Sequence, residues 1–478
     1  MKYLRRCLKA LGWLMLALGG LVAVWLAALI AANWNDDALT EAAQRALQYT
    51  PPTEQALEGN GYLILMGLDA PAGGDAIGDA IALGRQRLAR EIERRRWVEA
   101  HGDRQEGMPP SIPAENAGNE VLPDRLRCPV GEADCFAWFV KHGDEVQTLA
   151  KTHQALLQRL AAAAGAPQFS NPAPFYLLAE FPPYGRLVRA HELWLAQAAL
   201  AWVHGQPQQA MDIARQAVQL RSRLASHSNS LIASMIALAM QHRELRWFSD
   251  AIAHSRSQTP NTVSEGVEEL LSVPLGSLRQ ALEGEKQFVA SLSYSPTDFS
   301  ALRMPWEDPP AWWQRPLNRV RGWAYLHQQS LNLSIQNLQQ VQALSDLPAN
   351  RLEEAFFDAL RQWNEEIPCP TPLARLRNAT GLCMPGMGPS HHQKYIQRIA
   401  DMDGYRRLVL LQHRASTQQV RVADMPAWLA QSPQALRNPY TLEPMQWDAA
   451  TRSLVFEGRE KQNQNPDQSP TYRIRLRS

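Results

Sequence analysis

The sequence has no H-E-x-x-H pair, no Walker-type or dinucleotide-binding glycine pattern and no G-x-S-x-G turn. Zinc-peptidase, nucleotide-binding and serine-elbow chemistry therefore have no motif to rest on. The string nearest to a serine elbow, Gly-Met-Gly-Pro-Ser at 386–390, lacks the small residue after Ser390. Net charge is also missing, since 48 Lys and Arg balance 47 Asp and Glu. That is nothing like the basic excess nucleic-acid binding requires, so no nucleic-acid partner is expected. Among 12 histidines the one mixed cluster is His391-His392 with Asp401 and Asp403. Adjacent helical residues point about 100° apart and seldom share a metal. Neither a metal nor a cofactor is expected.

Charge is absent altogether from 10–32, a run that as a helix would reach roughly 35 Å and span a hydrocarbon core of about 30 Å. Lys2, Arg5, Arg6 and Lys9 precede it without an acid, and Asn33, Asn35, Asp36 and Asp37 follow. The positive-inside rule then puts the N-terminus in the cytoplasm and the rest of the chain in the periplasm, beyond a bacterial inner membrane. Trp13 and Trp34 stand where interfacial anchors would. The run exceeds a usual signal-peptide core and Ile30-Ala31-Ala32 is a poor cleavage site, so an uncleaved signal anchor is expected over a removed leader. Cys7 precedes the run and does not resemble a lipoprotein cysteine.

Cysteine is scarce, five in all. The four beyond the apolar run fall as local pairs, Cys128 with Cys135 and Cys369 with Cys383. In an oxidising compartment these spacings favour two disulfides, each worth about 2 to 3 kcal/mol. A zinc site built from Cys369, Cys383, His391 and His392 is the alternative, but its spacing matches no common finger. Of the 48 basic residues four precede the run, leaving 44 against 47 acidic ones outside.

The remaining pattern is mainly α. The chain divides into a cytoplasmic tail (1–9), a transmembrane helix (10–32), juxtamembrane helices and a long loop (33–127), a helical ectodomain (128–420) and a C-terminal segment with a small antiparallel sheet (421–478). Within these, the periodicity and turn signals predict helices over 36–49, 75–100, 144–164, 228–255, 263–271, 275–292, 316–344, 350–366 and 390–416, the last broken near Asp403-Gly404. The stretch 101–127 reads as a surface loop, and 304–316 is too proline-rich for helix. Residues 445–447 and 453–456 flank a hairpin turn, and 472–477 alternates with period two, placing Arg473, Arg475 and Arg477 on a wet face.

The most legible part is 185–225. Leu187, Ala190, Trp194, Ala198 and Ala201 step by three and four, as do Ala210, Ile213, Ala217, Leu220 and Leu224, with a turn at His204-Gly205-Gln206. Trp194, Ala198, Gly205, Ala210 and Ala217 resemble the signature of one tetratricopeptide unit, covering about 34 residues. Gln197, Ala201, Ala214 and Ser222 depart from it, and no second copy follows at that period. An ordinary antiparallel helix hairpin made close by small residues is the alternative. The anchor, 60–73 and the closing 438–448 together resemble a group of uncharacterised proteobacterial single-anchor envelope proteins, a likeness that implies no activity.

Two functional expectations remain. The first is a non-catalytic protein that binds or scaffolds another envelope protein, using the hairpin and the tryptophans Trp306, Trp312, Trp313 and Trp323, drawn from 15 in the chain. Exposed Trp faces stack on sugars or prolines, although the same residues also suit core packing or membrane-surface contact. The second is a helical hydrolase of cell-wall glycan with Glu283 or Glu285 as general acid. Glu353-Glu354 and Glu365-Glu366 read as solvated charge pairs, and the strings typical of helical transglycosylases are absent.

Overall fold

Local capping fixes many helix starts, and distant residues fix several breaks. The computed structural model describes residues 2–71, 74–101, 106–115, 118–129, 134–255, 261–273, 276–292, 314–366, 376–382, 390–460 and 470–476. These hold nineteen α-helices and one three-stranded antiparallel sheet. Helix α1 (Lys2–Ala32) contains one segment, Leu8–Ala32, long and apolar enough to cross a membrane. Helix α2 (Glu41–Leu47) is shorter than the predicted 36–49, because Thr40 caps it by accepting from Ala43 N. Asp36 is used elsewhere, accepting from Gln328 N and Gln329 N at 2.7 and 3.0 Å.

Helices α3 (Glu54–Leu57) and α4 (Gly61–Met66) lead to the long α5 (Ala76–His101), which starts where Asp75 accepts from Ile77 N and Gly78 N. The predicted surface loop 101–127 needs correction. Val121, Leu122 and Leu126 are fully buried, so the end of this stretch, 118–127, plugs the core with apolar side chains. Next come α6 (Cys135–Lys141), α7 (Gly143–Thr152) and α8 (Gln154–Gly165). The single helix expected over 144–164 is split at His153, whose Nε2 lies 2.8 Å from Glu120 O.

The hairpin forms as expected from α9 (Tyr184–Val203) and α10 (Pro207–His227), and Gly205 turns between them at φ 80°. Ala190, Ala198, Ala210 and Ala217 are fully buried at the crossing. Helix α11 (Leu231–His254), capped by Ser230, packs on both. Helices α12 (Asn261–Ser272) and α13 (Arg279–Ser291) follow. The expected helix 316–344 is two helices, α14 (Gln314–Trp323) and α15 (His327–Ser345). Asn378 Oδ1 takes Leu326 N at 2.9 Å and Thr380 N donates to Ala324 O at 3.0 Å, which holds the break open.

Helices α16 (Ala349–Glu366) and α17 (Ala379–Leu382) precede α18 (Ser390–Thr417), which is continuous where a break was expected. A Cβ on Gly404 would lie 2.2 Å from Phe456 Cε1, so this glycine admits a neighbouring ring and does not end the helix. After α19 (Met425–Ala430), strands β1 (Gln446–Asp448), β2 (Ser453–Glu457) and β3 (Thr471–Arg475) form the sheet in the order β1-β2-β3. Leu454 faces Trp447 and Ile474 across the ladder, and Arg473 and Arg475 are exposed as expected. One apolar core runs from Leu57 to Ile474, so segments 33–127, 128–420 and 421–478 share it.

Cys128 and Cys135 are disulfide-bonded with Cα atoms 5.5 Å apart. Cys369 and Cys383 lie outside the described residues.

Candidate binding groove

Helices α7 and α8 lie beside the α9–α10 hairpin, and the four border an open, shallow groove of about 580 Å³. Gln147, Lys151, Gln154 and Gln158 step by four, three and four along α7 and α8, which sets them in a polar stripe along one wall. Gln197 of α9 and Gln216 of α10 form the other wall, and the buried side chains of Ala150, Leu157 and Trp194 form the floor. Lys151 is the single charged residue in the lining. Among the described residues no side-chain hydrogen bond engages any of the five glutamine amides. Each primary amide therefore presents a free carbonyl acceptor and two N–H donors to whatever fills the groove.

The opposite face of α9 borders a second cavity, about 160 Å³, lined by Leu122, Phe139, Leu195, Trp247, the disulfide and a knot of ions. Glu192 accepts from Arg127 Nε at 2.7 Å and Nη2 at 2.9 Å, pairs with Arg243, and lies 4.0 Å from Arg189. Burial, with Arg127 and Arg189 nearby, pushes Arg243 down to about 10, which still leaves it charged at neutral pH. Ligand pockets usually exceed about 300 Å³, so the glutamine groove meets that size and the arginine cavity does not.

The two carboxylates proposed as general acids separate. Glu283 lines a cleft of about 390 Å³ between α2, α13 and α15, where Oε1 accepts from Lys286 Nζ at 2.7 Å and Gln342 Nε2 at 3.2 Å. Glu285 faces the first turn of α11 and accepts from Leu231 N at 3.1 Å. Burial pushes its carboxyl up to about 7, against that backbone hydrogen bond. A raised carboxyl is what an acid catalyst needs, but this one caps a helix and is absent from the lining of the cleft.

Of the four tryptophans, Trp306, Trp312 and Trp313 lie outside the described residues, and Trp323 ends α14 at 42% exposed. The His391-His392 cluster is dispersed. Burial drives His392 down to about 4, helped by His391 and Lys394. Asp401 accepts from Tyr440 Oη, Arg459 N and Glu460 N, while Asp403 pairs with Arg406 and Arg407. Among the described residues no group of three or more His, Cys, Asp or Glu could hold a metal.

The groove was not named from sequence, although two signals for it were present. One is the period of the glutamines in α7 and α8, and the other is Gln197, a departure from the tetratricopeptide pattern that turns out to line the groove. No protein-family model, curated protein or solved structure matches the chain.

Proposed function

We propose that this protein is a non-catalytic binding protein of the bacterial envelope, anchored in the inner membrane with its helical domain in the periplasm. In this reading the glutamine groove takes an extended segment of another envelope protein. The observation that carries it is the set of five glutamine amides, without a side-chain hydrogen bond among the described residues, that face one groove with an apolar floor. A glutamine amide matches a peptide group donor for acceptor, and an extended chain offers such groups every 3.3 Å or so, whatever its side chains. Because polar groups that bind must each be satisfied, a groove of this kind rewards a backbone more than a lipid or a flat aromatic. The tetratricopeptide-like character of the hairpin belongs to the same reading, since small residues at the helix crossing leave a concave flank beside it.

The hydrolase alternative draws on the raised carboxyl of Glu285. It has weaker support, because the groove contains no acid and Glu283 and Glu285 serve different surroundings.

The test is photo-crosslinking in intact cells, with benzoylphenylalanine in place of Gln158 or Gln216 on opposite walls and in place of Phe357, which is 68% exposed on α16. The same protein should be captured from both walls and not from 357, and the combined Gln154→Ala and Gln197→Ala change should abolish capture. Equal capture at all three positions, or none, would refute the groove.

A further inference from the structure

The end of α1 is clamped to the rest of the chain. Asn33 Nδ2 donates to Leu29 O and Leu376 O, both at 2.7 Å, and Asn33 Oδ1 accepts from Asn378 N at 2.7 Å. Arg377 donates to the carbonyls of Ala32 and Asn35 at 3.1 and 3.0 Å and to the Asp37 carboxylate at 2.6 Å. Orphan carbonyls at a helix C-terminus seek such donors, and a guanidinium also suits the negative end of the helix dipole. The same short segment holds α14, because Thr380 N donates to Ala324 O and Thr380 Oγ1 to Arg321 O at 2.9 Å. Asn378 is the hinge pin: fully buried, left-handed at φ 50°, it also accepts from Leu326 N.

Burial along α1 says how deep this clamp sits. Leu11, Leu14, Leu18, Leu21 and Val24 are all more than half exposed, whereas Leu29 is 1% exposed and Trp25 and Leu26 are half-covered. Coverage by the rest of the chain therefore begins at Trp25 and is one-sided, since Ala27, Ile30 and Ala31 stay exposed. From Leu8 to Ala32 is roughly 36 Å of helix, so a hydrocarbon core of about 30 Å that begins at Leu8 ends within these partly covered turns. If α1 spans a bilayer, its clamped end at 29–37 and the parts of the chain bonded to it lie at the interfacial layer on the far side.

What lies there has the composition of an interfacial anchor. Helix α14 carries Arg315, Arg319 and Arg321 and no acid, and it ends in Trp323. Arg319, Arg321 and Trp323 are exposed, and Arg319 and Trp323, four residues apart, share a face. Trp34, 78% exposed, adds a second aromatic at the exit of α1. Arginines attract lipid phosphate, and tryptophan rings settle at the headgroup level.

We infer that α14, locked to the last turns of α1 through 376–380, is a membrane-surface platform whose Arg319 and Trp323 contact anionic phospholipid headgroups. The platform fixes the height and tilt of the helical domain over the bilayer, which a flexible tether would not do.

The experiment uses the full chain in nanodiscs of phosphatidylglycerol and phosphatidylcholine in equal amounts. Benzoylphenylalanine replaces Trp323, Arg319, Leu18 or Gln216 in separate samples, and lipid adducts are read by mass spectrometry. Adducts are expected at 323, 319 and 18 and not at 216. At 323 they should be enriched in phosphatidylglycerol by about threefold or more, and Arg319→Ala should remove the enrichment. Adducts at 18 without any at 323 or 319 would overturn the platform. So would protein crosslinks in their place, or adducts at 323 that mirror the bulk lipid ratio. Failure at 18 itself would overturn the spanning helix and the platform with it.

Discussion

Individual buried charges in this fold differ in whether a partner holds their ionised form. Among the described residues Glu285 has one backbone donor and no counter-ion, and burial lifts its folded carboxyl to about 7 against an ordinary 4.5. Between those values the folded protein holds a proton that the unfolded chain has released, so stability falls as pH rises through the window. Glu285→Gln keeps an acceptor for Leu231 N and cannot ionise. It should match the unaltered protein near pH 4 and exceed it by roughly 2 to 3 kcal/mol above pH 7. Thermal unfolding of both proteins at the two pH values tests this, and a pH-independent difference would refute it. Glu244 is the opposite case. Burial pushes its carboxyl up, but Arg221 and His191, at 3.1 and 3.0 Å, hold it below the ordinary value. Glu244→Ala would strand the buried Arg221 and should cost about 3 to 5 kcal/mol by denaturant unfolding. Adding Arg221→Met should recover most of that loss, because the penalty lies in the unpaired charge.

At the level of elements, what the sequence discloses depends on whether the deciding residue is local. The caps Thr40, Asp75 and Ser230 sit beside the helices they start, and those starts are readable. The breaks at His153 and Leu326 answer to Glu120 and Asn378, 33 and 52 residues away, which no window reports. The five glutamines illustrate the same divide: the stripe in α7 and α8 is periodic, but that it faces Gln197 and Gln216 is a fact of packing. Gly404 was legible only as a possible break, since its reason is a ring from β2. Gly404→Ala opposes a helix-propensity gain of about 1 kcal/mol against an overpacking cost of about 1 to 3 kcal/mol. With the added methyl 2.2 Å from a ring carbon, overpacking should win and the variant should melt lower. In a Phe456→Leu background the same change should become neutral or stabilising, and a double-mutant cycle by thermal melting decides it.

For the whole molecule, α5 shows why a charged helix is not always a wet one. Arg87, Arg94 and Arg95 are buried in it, and Arg159 of α8 donates to Leu68 O, Ala70 O, Pro71 O and Ala76 O, satisfying carbonyls of an N-terminal segment that has no sheet to pair with. The C-terminal sheet is tied in as firmly, since Asp401 of α18 is fully buried on Tyr440 Oη, Arg459 N and Glu460 N. Ending the chain at 420 would strip these donors and uncover Phe456's neighbours in the shared core, so limited proteolysis should find the remainder degraded throughout and not as a trimmed, resistant domain. Orientation is a property of the same whole. A thiol pair bonded at Cys128–Cys135 persists in an oxidising compartment, and the cations ahead of α1 favour sending the domain to that side. Alkaline phosphatase fused after 478 should therefore be active and a fused green fluorescent protein dark. The reverse pattern, with Cys128 and Cys135 alkylated without prior reduction, would put the domain in the cytoplasm and remove the envelope partner along with the far-side platform.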